Sequence, residues 1–316
     1  MGVRLAGARV LVTGGSGFLG RALLERLDEA GAKVTAPARA EYDLLREADV
    51  ARMFAQQRPE VVFHLAADVG GIGYNLANPG RTLYANTTMS ALVMEQARLA
   101  GVAKFVGAGS VCAYPEHAAV PFREDALWDG YPEPSNAPYG LAKRLMLVQG
   151  QAYRAQYGFN AIYLLIMNLY GPGDHFEPDR SHVIAALIRR MLEASDAGTP
   201  ELVVWGDGTA TREFLYVDDA ARALVLAAER YDGAEPVNLG TGAEISIRDL
   251  AVLLVELTGY RGRLAFDASR PSGQQRRCAD VSRAKRELGF EAAVSFREGL
   301  ARTIAWYRAH RAGRTR

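Results

Sequence analysis

Through the first half of the chain, short apolar runs alternate with segments whose apolar residues recur every three or four positions. Residues 8–13 (ARVLVT) form one such run, ending in glycines, and 18–30 carries Leu19, Ala22, Leu23 and Leu27 at helical spacing. Runs at 33–36, 61–65, 104–108 and 161–167 predict further strands. The spacing over 48–57, 81–99 and 139–157 predicts helices, stopped by Pro59, Gly101 and Gly158. Strands alternating with helices build a parallel sheet covered on both faces, because each crossover is right-handed. The expected fold class is therefore α/β, a Rossmann-type doubly wound sheet, with ligands held by the loops at the carboxyl ends of the strands.

After Asn168 the rhythm changes. Residues 171–179 (GPGDHFEPD) have loop composition, and Ser181 is expected to cap a helix reaching about 194. A strand at 201–205, a turn at 206–209 and helices at 217–228, 247–258, 282–288 and 295–309 follow. We expect a dinucleotide-binding domain at 1–168 with a returning piece at about 214–240. A smaller α/β substrate-binding domain takes 169–213 and 241–316. Arg308, Arg311, Arg314 and Arg316 are expected to form a solvated tail.

The most informative loop is Thr13-Gly14-Gly15-Ser16-Gly17-Phe18-Leu19-Gly20, which leaves the first strand and opens the first helix. Gly14 permits the tight turn, Gly17 lets backbone N–H groups approach a pyrophosphate, and Gly20 lets helix and strand pack closely. The helix N-terminus adds partial positive charge. An acid at the end of the second strand, which would bind the ribose hydroxyls of NAD, is missing from Val34–Arg39. Arg39 is placed to pair with a 2′-phosphate, so NADP(H) is the expected cofactor. The alternative is that Arg39 is a solvated charge and Glu41 or Asp43 takes the ribose.

Tyr139 and Lys143 stand four apart at the start of a predicted helix, hence on one face. A phenol is a weak acid at neutral pH, and a neighbouring ammonium is expected to lower its pKa toward a useful range. Tyr139 then gives a proton to a carbonyl oxygen as hydride reaches the carbon, with Ser110 hydrogen-bonded to the same oxygen.

Composition narrows the class. The chain has 316 residues and a net charge of +1, so no global field draws in nucleic acid or an acidic membrane. No apolar run approaches the ~18 residues of a membrane span. The first residues lack a charged-then-apolar leader, and two cysteines are too few for a disulfide framework. A cytoplasmic enzyme is expected, with no nucleic-acid or membrane partner and no metal, since no metal-ligand spacing is present.

Nearly end to end, the chain resembles the extended short-chain dehydrogenase/reductases and, within them, the GDP-L-fucose synthase family. The resemblance is carried by HLAADVGGI (64–72), GSVCAYP (109–115), EPSNAPYGLAK (133–143), NLYGPGDHF (168–176), SHVIAALIRR (181–190), VVWGDGTATREFLYVDD (203–219) and NLGTG (238–242). It implies an NADPH-dependent 3,5-epimerase and 4-reductase of a nucleotide-linked 4-keto-6-deoxyhexose. In that reading Cys112 is the base and His182 the acid of epimerisation, beside Ser110, Tyr139 and Lys143. A thiol and an imidazole can both have pKa values near working pH. The cofactor is expected against Gly14, Gly17, Phe18, Leu19, Gly20, Arg39, Asp43 and Leu44. Its nicotinamide end is expected against Ala66, Ala67, Ala108, Gly109, Lys143, Asn168, Leu169 and His182. Ser110, Asn168, Arg190, Trp205 and Arg212 are expected to face the nucleotide sugar, and Arg276 or Arg277 to reach a phosphate. Relatives of this kind pair two subunits through the helices at 81–99 and 139–157, so a homodimer is expected.

Val111, Asp68 and Ile166-Met167 depart from the family pattern and leave the sugar and the nucleotide base open. A transient-oxidation epimerase without net reduction and a C4 reductase without epimerisation are the alternatives. A non-enzymatic cofactor sensor is expected to lose Tyr139 or Lys143, and both are present.

Overall fold

The computed structural model describes residues 2–178, 180–269 and 274–311. The first half runs β1 (Arg9–Thr13), α1 (Phe18–Glu29), β2 (Lys33–Thr35), α2 (Glu47–Gln57), β3 (Val61–His64), α3 (Ile72–Ala77), α4 (Pro79–Leu99), β4 (Lys104–Ser110), α5 (Ala137–Tyr157) and β5 (Ala161–Ile166). It continues through β6 (Asn168–Tyr170), α6 (Val183–Asp196), β7 (Glu201–Trp205), β8 (Thr211–Tyr216), α7 (Val217–Arg230) and β9 (Val237–Leu239). The last elements are β10 (Glu244–Ser246), α8 (Ile247–Thr258), β11 (Arg263–Asp267), β12 (Arg276–Arg277) and α9 (Phe296–His310).

Six strands form one parallel sheet in the order β2-β1-β3-β4-β5-β9. The strands read as continuous apolar runs because both faces are covered. Leu23, Leu27 and Leu224, from α1 and α7, fill one face, while Met53, Val93 and Met146, from α2, α4 and α5, fill the other. The order turns back on itself between β1 and β3. At such a switch point the two crossover loops diverge and leave a crevice at the carboxyl edge.

The second half places β8 between β10 and β12, with β6 also paired to β8, and β7 against β11. A third core of Ile184, Ile188, Leu250, Leu254 and Ile304 lies beneath them. The chain returns to the large sheet through α7, which packs on α1, and β9, which pairs with β5. Lys104, fully buried at the start of β4, ties this return down by donating to the carbonyl of Ala228 at 2.9 Å and to Asp232 at 2.7 Å.

Helix α6 begins differently from the expectation. His182, not Ser181, is its N-cap, with no side-chain capping bond; the Ser181 N–H instead donates to the Glu177 carbonyl at 2.9 Å. The expected helix at 282–288 shrinks to a π-type turn at Ala284–Leu288. Arg314 and Arg316 of the expected tail lie outside the described residues. Arg311 is paired with Asp196 at 2.7 Å rather than solvated alone.

Candidate active site

At the switch point a cavity of about 650 Å³ runs from the glycine loop to the tip of α6. Gly14 has φ +76°, and a Cβ there would stand 2.7 Å from the Ala66 amide nitrogen; one on Gly20 would stand 2.2 Å from the Gly14 carbonyl oxygen. The loop is thus pressed against the chain leaving β3, and only bare backbone fits. Gly17 caps α1 without a side chain, so Phe18, Leu19 and Gly20 present the helix N-terminus to the cavity. Arg21 fixes the loop from outside, donating to the carbonyls of Ser16 at 2.7 Å and Gly173 at 2.5 Å. Arg39 lines the cavity and is exposed, with no hydrogen bond or ion pair among the described residues. Asp43 also lines it, but its Oδ1 is taken by the Leu45 N–H at 3.0 Å. This cradle fits a dinucleotide, and its outer end fits a 2′-phosphate better than a bare ribose.

The remaining expected cofactor residues lie along the same cavity: Leu44, Ala66, Ala67, Ala108, Gly109, Asn168 and Leu169. Lys143 is 2% exposed and donates to the Ala108 carbonyl at 2.8 Å. Its pKa is pushed down to about 8 by burial. Its Nζ lies 5.6 Å from the centre of the Tyr139 ring. The hydroxyl of Tyr139 has no hydrogen-bond partner among the described residues and faces the cavity.

The pKa expectation for Tyr139 is overturned. Burial, and secondly the Cys112 sulfur, hold the phenol well above its ordinary value rather than below it. In this arrangement desolvation outweighs an ammonium more than 5 Å away. The neutral phenol is nonetheless the form that gives a proton.

Ser110 ends β4 and caps the 3-10 turn Val111–Ala113, its Oγ accepting the Cys112 N–H at 3.2 Å. The hydroxyl proton stays free for a ligand. Cys112 lines the cavity, half-buried. A Cβ on Gly140 would stand 2.2 Å from the Cys112 carbonyl oxygen, so α5 lies directly on the cysteine turn and brings Tyr139 beside it. His182 faces the cavity from the far side and is accessible from it. Dense protein around it, then the charges of His175 and Arg277, lower its pKa. His64, by contrast, is buried between Thr13 at 2.8 Å and Ser90 at 3.3 Å and is pushed down to about 3, a neutral structural residue.

The expected sugar-nucleotide residues are not all gathered here. Asn168 lines the cavity and donates to the Glu213 carbonyl at 2.8 Å. Arg190 donates to the Val203 carbonyl at 2.6 Å, next to the exposed Trp205, while Arg189 pairs with Glu193 at 2.8 Å. That patch on α6 and β7 lies apart from the cavity lining. Arg212 lies on β8; burial and then the Arg277 charge bring its pKa down to about 10, and the Cys112 sulfur acts on it as well.

One residue escaped sequence reasoning, as did one contact of a residue expected only at a phosphate. Asp174 is buried at 3% exposure, lines the cavity and has its pKa pushed up to about 7, first by burial. Arg277 reaches the Cys112 sulfur, with Nη1 at 3.9 Å. Loop composition concealed the first, and a gap of 165 residues in sequence concealed the second.

A glycine-cradled dinucleotide cleft with a Tyr–Lys pair on the helix beside it defines a nicotinamide-dependent enzyme of the short-chain type. A family model described as the NAD dependent epimerase/dehydratase family matches residues 10–240. GDP-L-fucose synthase 1 of Arabidopsis thaliana is 42% identical over 301 residues, covering 95% of this chain and 93% of that protein. GDP-L-fucose synthase of Escherichia coli K12 is 38% identical over 309 residues, covering 95% and 96%. A solved GDP-L-fucose synthetase from Naegleria fowleri bound to NADP superposes with a TM-score of 0.87 at 27% identity, over 98% of this chain and 97% of that one. The chain belongs to the NAD dependent epimerase/dehydratase family and, within it, to the GDP-L-fucose synthases.

Proposed function

We propose that this enzyme is an NADPH-dependent 3,5-epimerase and 4-reductase of a GDP-linked 4-keto-6-deoxyhexose. One observation carries the reading: Tyr139 and Lys143, suited to carbonyl reduction, share a single cavity with Cys112 and His182, suited to carbon-acid chemistry. Bound NADPH supplies the hydride for C4. The Cys112 thiolate takes a proton from a carbon next to the ketone, and the electron pair moves onto the ketone oxygen. The free hydroxyl protons of Ser110 and Tyr139 stabilise that oxygen. His182 returns a proton from the opposite face. When the ketone is reduced, the neutral phenol of Tyr139 protonates the oxygen, with Lys143 behind it. Arg39 holds the 2′-phosphate of NADPH, and Arg190, Trp205 and Arg212 serve the nucleotide and its diphosphate.

The test is turnover of GDP-4-keto-6-deoxymannose with NADPH in heavy water. We expect stoichiometric loss of NADPH absorbance and deuterium at C3 and C5, with the deuterium lost in Cys112→Ser. Consumption of NADPH with no deuterium at carbon makes the enzyme a C4 reductase and removes the epimerase half.

We propose a homodimer, supported by the exposed apolar side chains of α4 and α5: Leu83, Tyr84 and Leu99 on one, Leu145, Val148 and Tyr157 on the other. Neighbouring helices with such a surface suit a shared bundle between two copies. Sedimentation at micromolar concentration showing only monomer would remove this. We assign a dinucleotide-binding domain at 1–168 plus about 214–240, and a substrate domain to the remainder. Two free cysteines are consistent with a cytoplasmic enzyme, and no described helix is long and apolar enough to cross a membrane.

A further inference from the structure

Arg277 stands across the register from Arg212 on paired parallel strands, so two guanidinium groups sit abreast. Like charges opposed on neighbouring strands destabilise a sheet. Arg277 is 8% exposed and makes no ion pair with a carboxylate among the described residues. Its Nε donates to Gln274 Oε1 at 3.0 Å, which aims the rest of the fork at the sulfur of Cys112, 3.9 Å from Nη1. Glu133 acts on both arginines from a distance, but its carboxylate is occupied by Ser135 and by Asn136 at 2.8 Å. A buried cation of this kind needs an anion, and the nearest group able to become one is the thiol.

We propose that Arg277, backed by Arg212, is the counter-ion of a Cys112 thiolate and so a positioning residue for the carbon-acid step. The proposal rests on the base role given to Cys112 above. Deprotonation places the negative charge against the guanidinium; accepting the substrate proton restores the neutral thiol and leaves the cation facing the substrate's own negative charge. The groups facing the sulfur are Tyr139 from α5, Arg212 from β8 and Arg277 from β12, with His182 across the cavity. Of these only the two arginines carry a fixed positive charge.

The experiment is alkylation of the full-length protein by iodoacetamide between pH 5.5 and 9.5, with Cys112 followed by peptide mass spectrometry. Cys278 is buried, with its thiol pushed up to about 12, and serves as the unreactive internal reference. In Arg277→Met the alkylation rate at pH 7 is expected to fall roughly tenfold. Arg277→Lys is expected to restore most of it. Arg277→Gln, which keeps a hydrogen-bonding head, serves if Arg277→Met does not fold. Superimposable curves in wild type and the neutral variant overturn the proposal and leave Arg277 to the substrate diphosphate alone. Because alkylation needs no turnover, it is independent of the deuterium test: retained exchange in Cys112→Ser would sink the base role of Cys112, whichever way the alkylation curves fall.

Discussion

Lys143→Met separates catalysis from stability at one atom. The ammonium is 2% exposed, its pKa has moved from 10.5 to about 8, and burial is the cause. At ~1.4 kcal/mol per pH unit this is a penalty of about 3 kcal/mol for keeping the charge in the folded state. The variant removes it, fills nearly the same volume, and gives up the hydrogen bond to Ala108, worth about 1 kcal/mol. The net gain is about 2 kcal/mol at pH 7, or roughly 4 °C in Tm for a chain of this size. The sign follows from proton counting. Below pH 8 both states hold the proton and the penalty is complete. Between about 8 and 10.5 only the unfolded state holds it, so wild-type stability rises with pH and the gap to the variant closes. Reduction should meanwhile fall by at least ~100-fold, because no ammonium remains beside Tyr139. Calorimetry across pH 6 to 10.5, with NADPH oxidation on the same samples, checks both. A variant that melts no higher than wild type at pH 7, or a gap that stays constant to pH 10.5, refutes the reasoning.

Asp174→Asn should also stabilise, with the opposite pH course. The folded carboxyl holds its proton up to about pH 7 and the unfolded one only to about 3.8, so wild-type stability falls as pH rises through that window. The gain is full above pH 7 and gone below about 4, as thermal melts will show. Gly140→Ala drives a Cβ against the Cys112 carbonyl, and since backbone cannot give way cheaply it should cost ~1–3 kcal/mol and displace the cysteine turn. Urea titration and deuterium exchange at C3 and C5 measure the two effects. Arg39→Ala should raise the Michaelis constant for NADPH at least ~10-fold and leave that for NADH nearly unchanged, since only the 2′-phosphate loses its partner. Equal effects on both cofactors would move Arg39 out of the site.

The doubly wound sheet was legible in the chain because its strands are continuous apolar runs and its helices carry one apolar stripe. Those are local periodicities that burial on both faces of a parallel sheet demands. The glycine loop and the Tyr139–Lys143 pair were legible for the same reason, since each lies within one turn or one helical step. The second half was less so. Strands of two or three residues at β6, β9, β10 and β12 carry too little periodicity to announce themselves, and they form because distant partners complete them. Whether Tyr139 is pushed up or down could not be read from a spacing of four residues, because burial, set by everything packed around α5, outweighs the ammonium. Tertiary structure alone brought Arg277 to Cys112 and sealed Asp174 into the cavity wall. Charge and desolvation act through space and fall off with distance, and a sequence records neither the distance nor the surroundings.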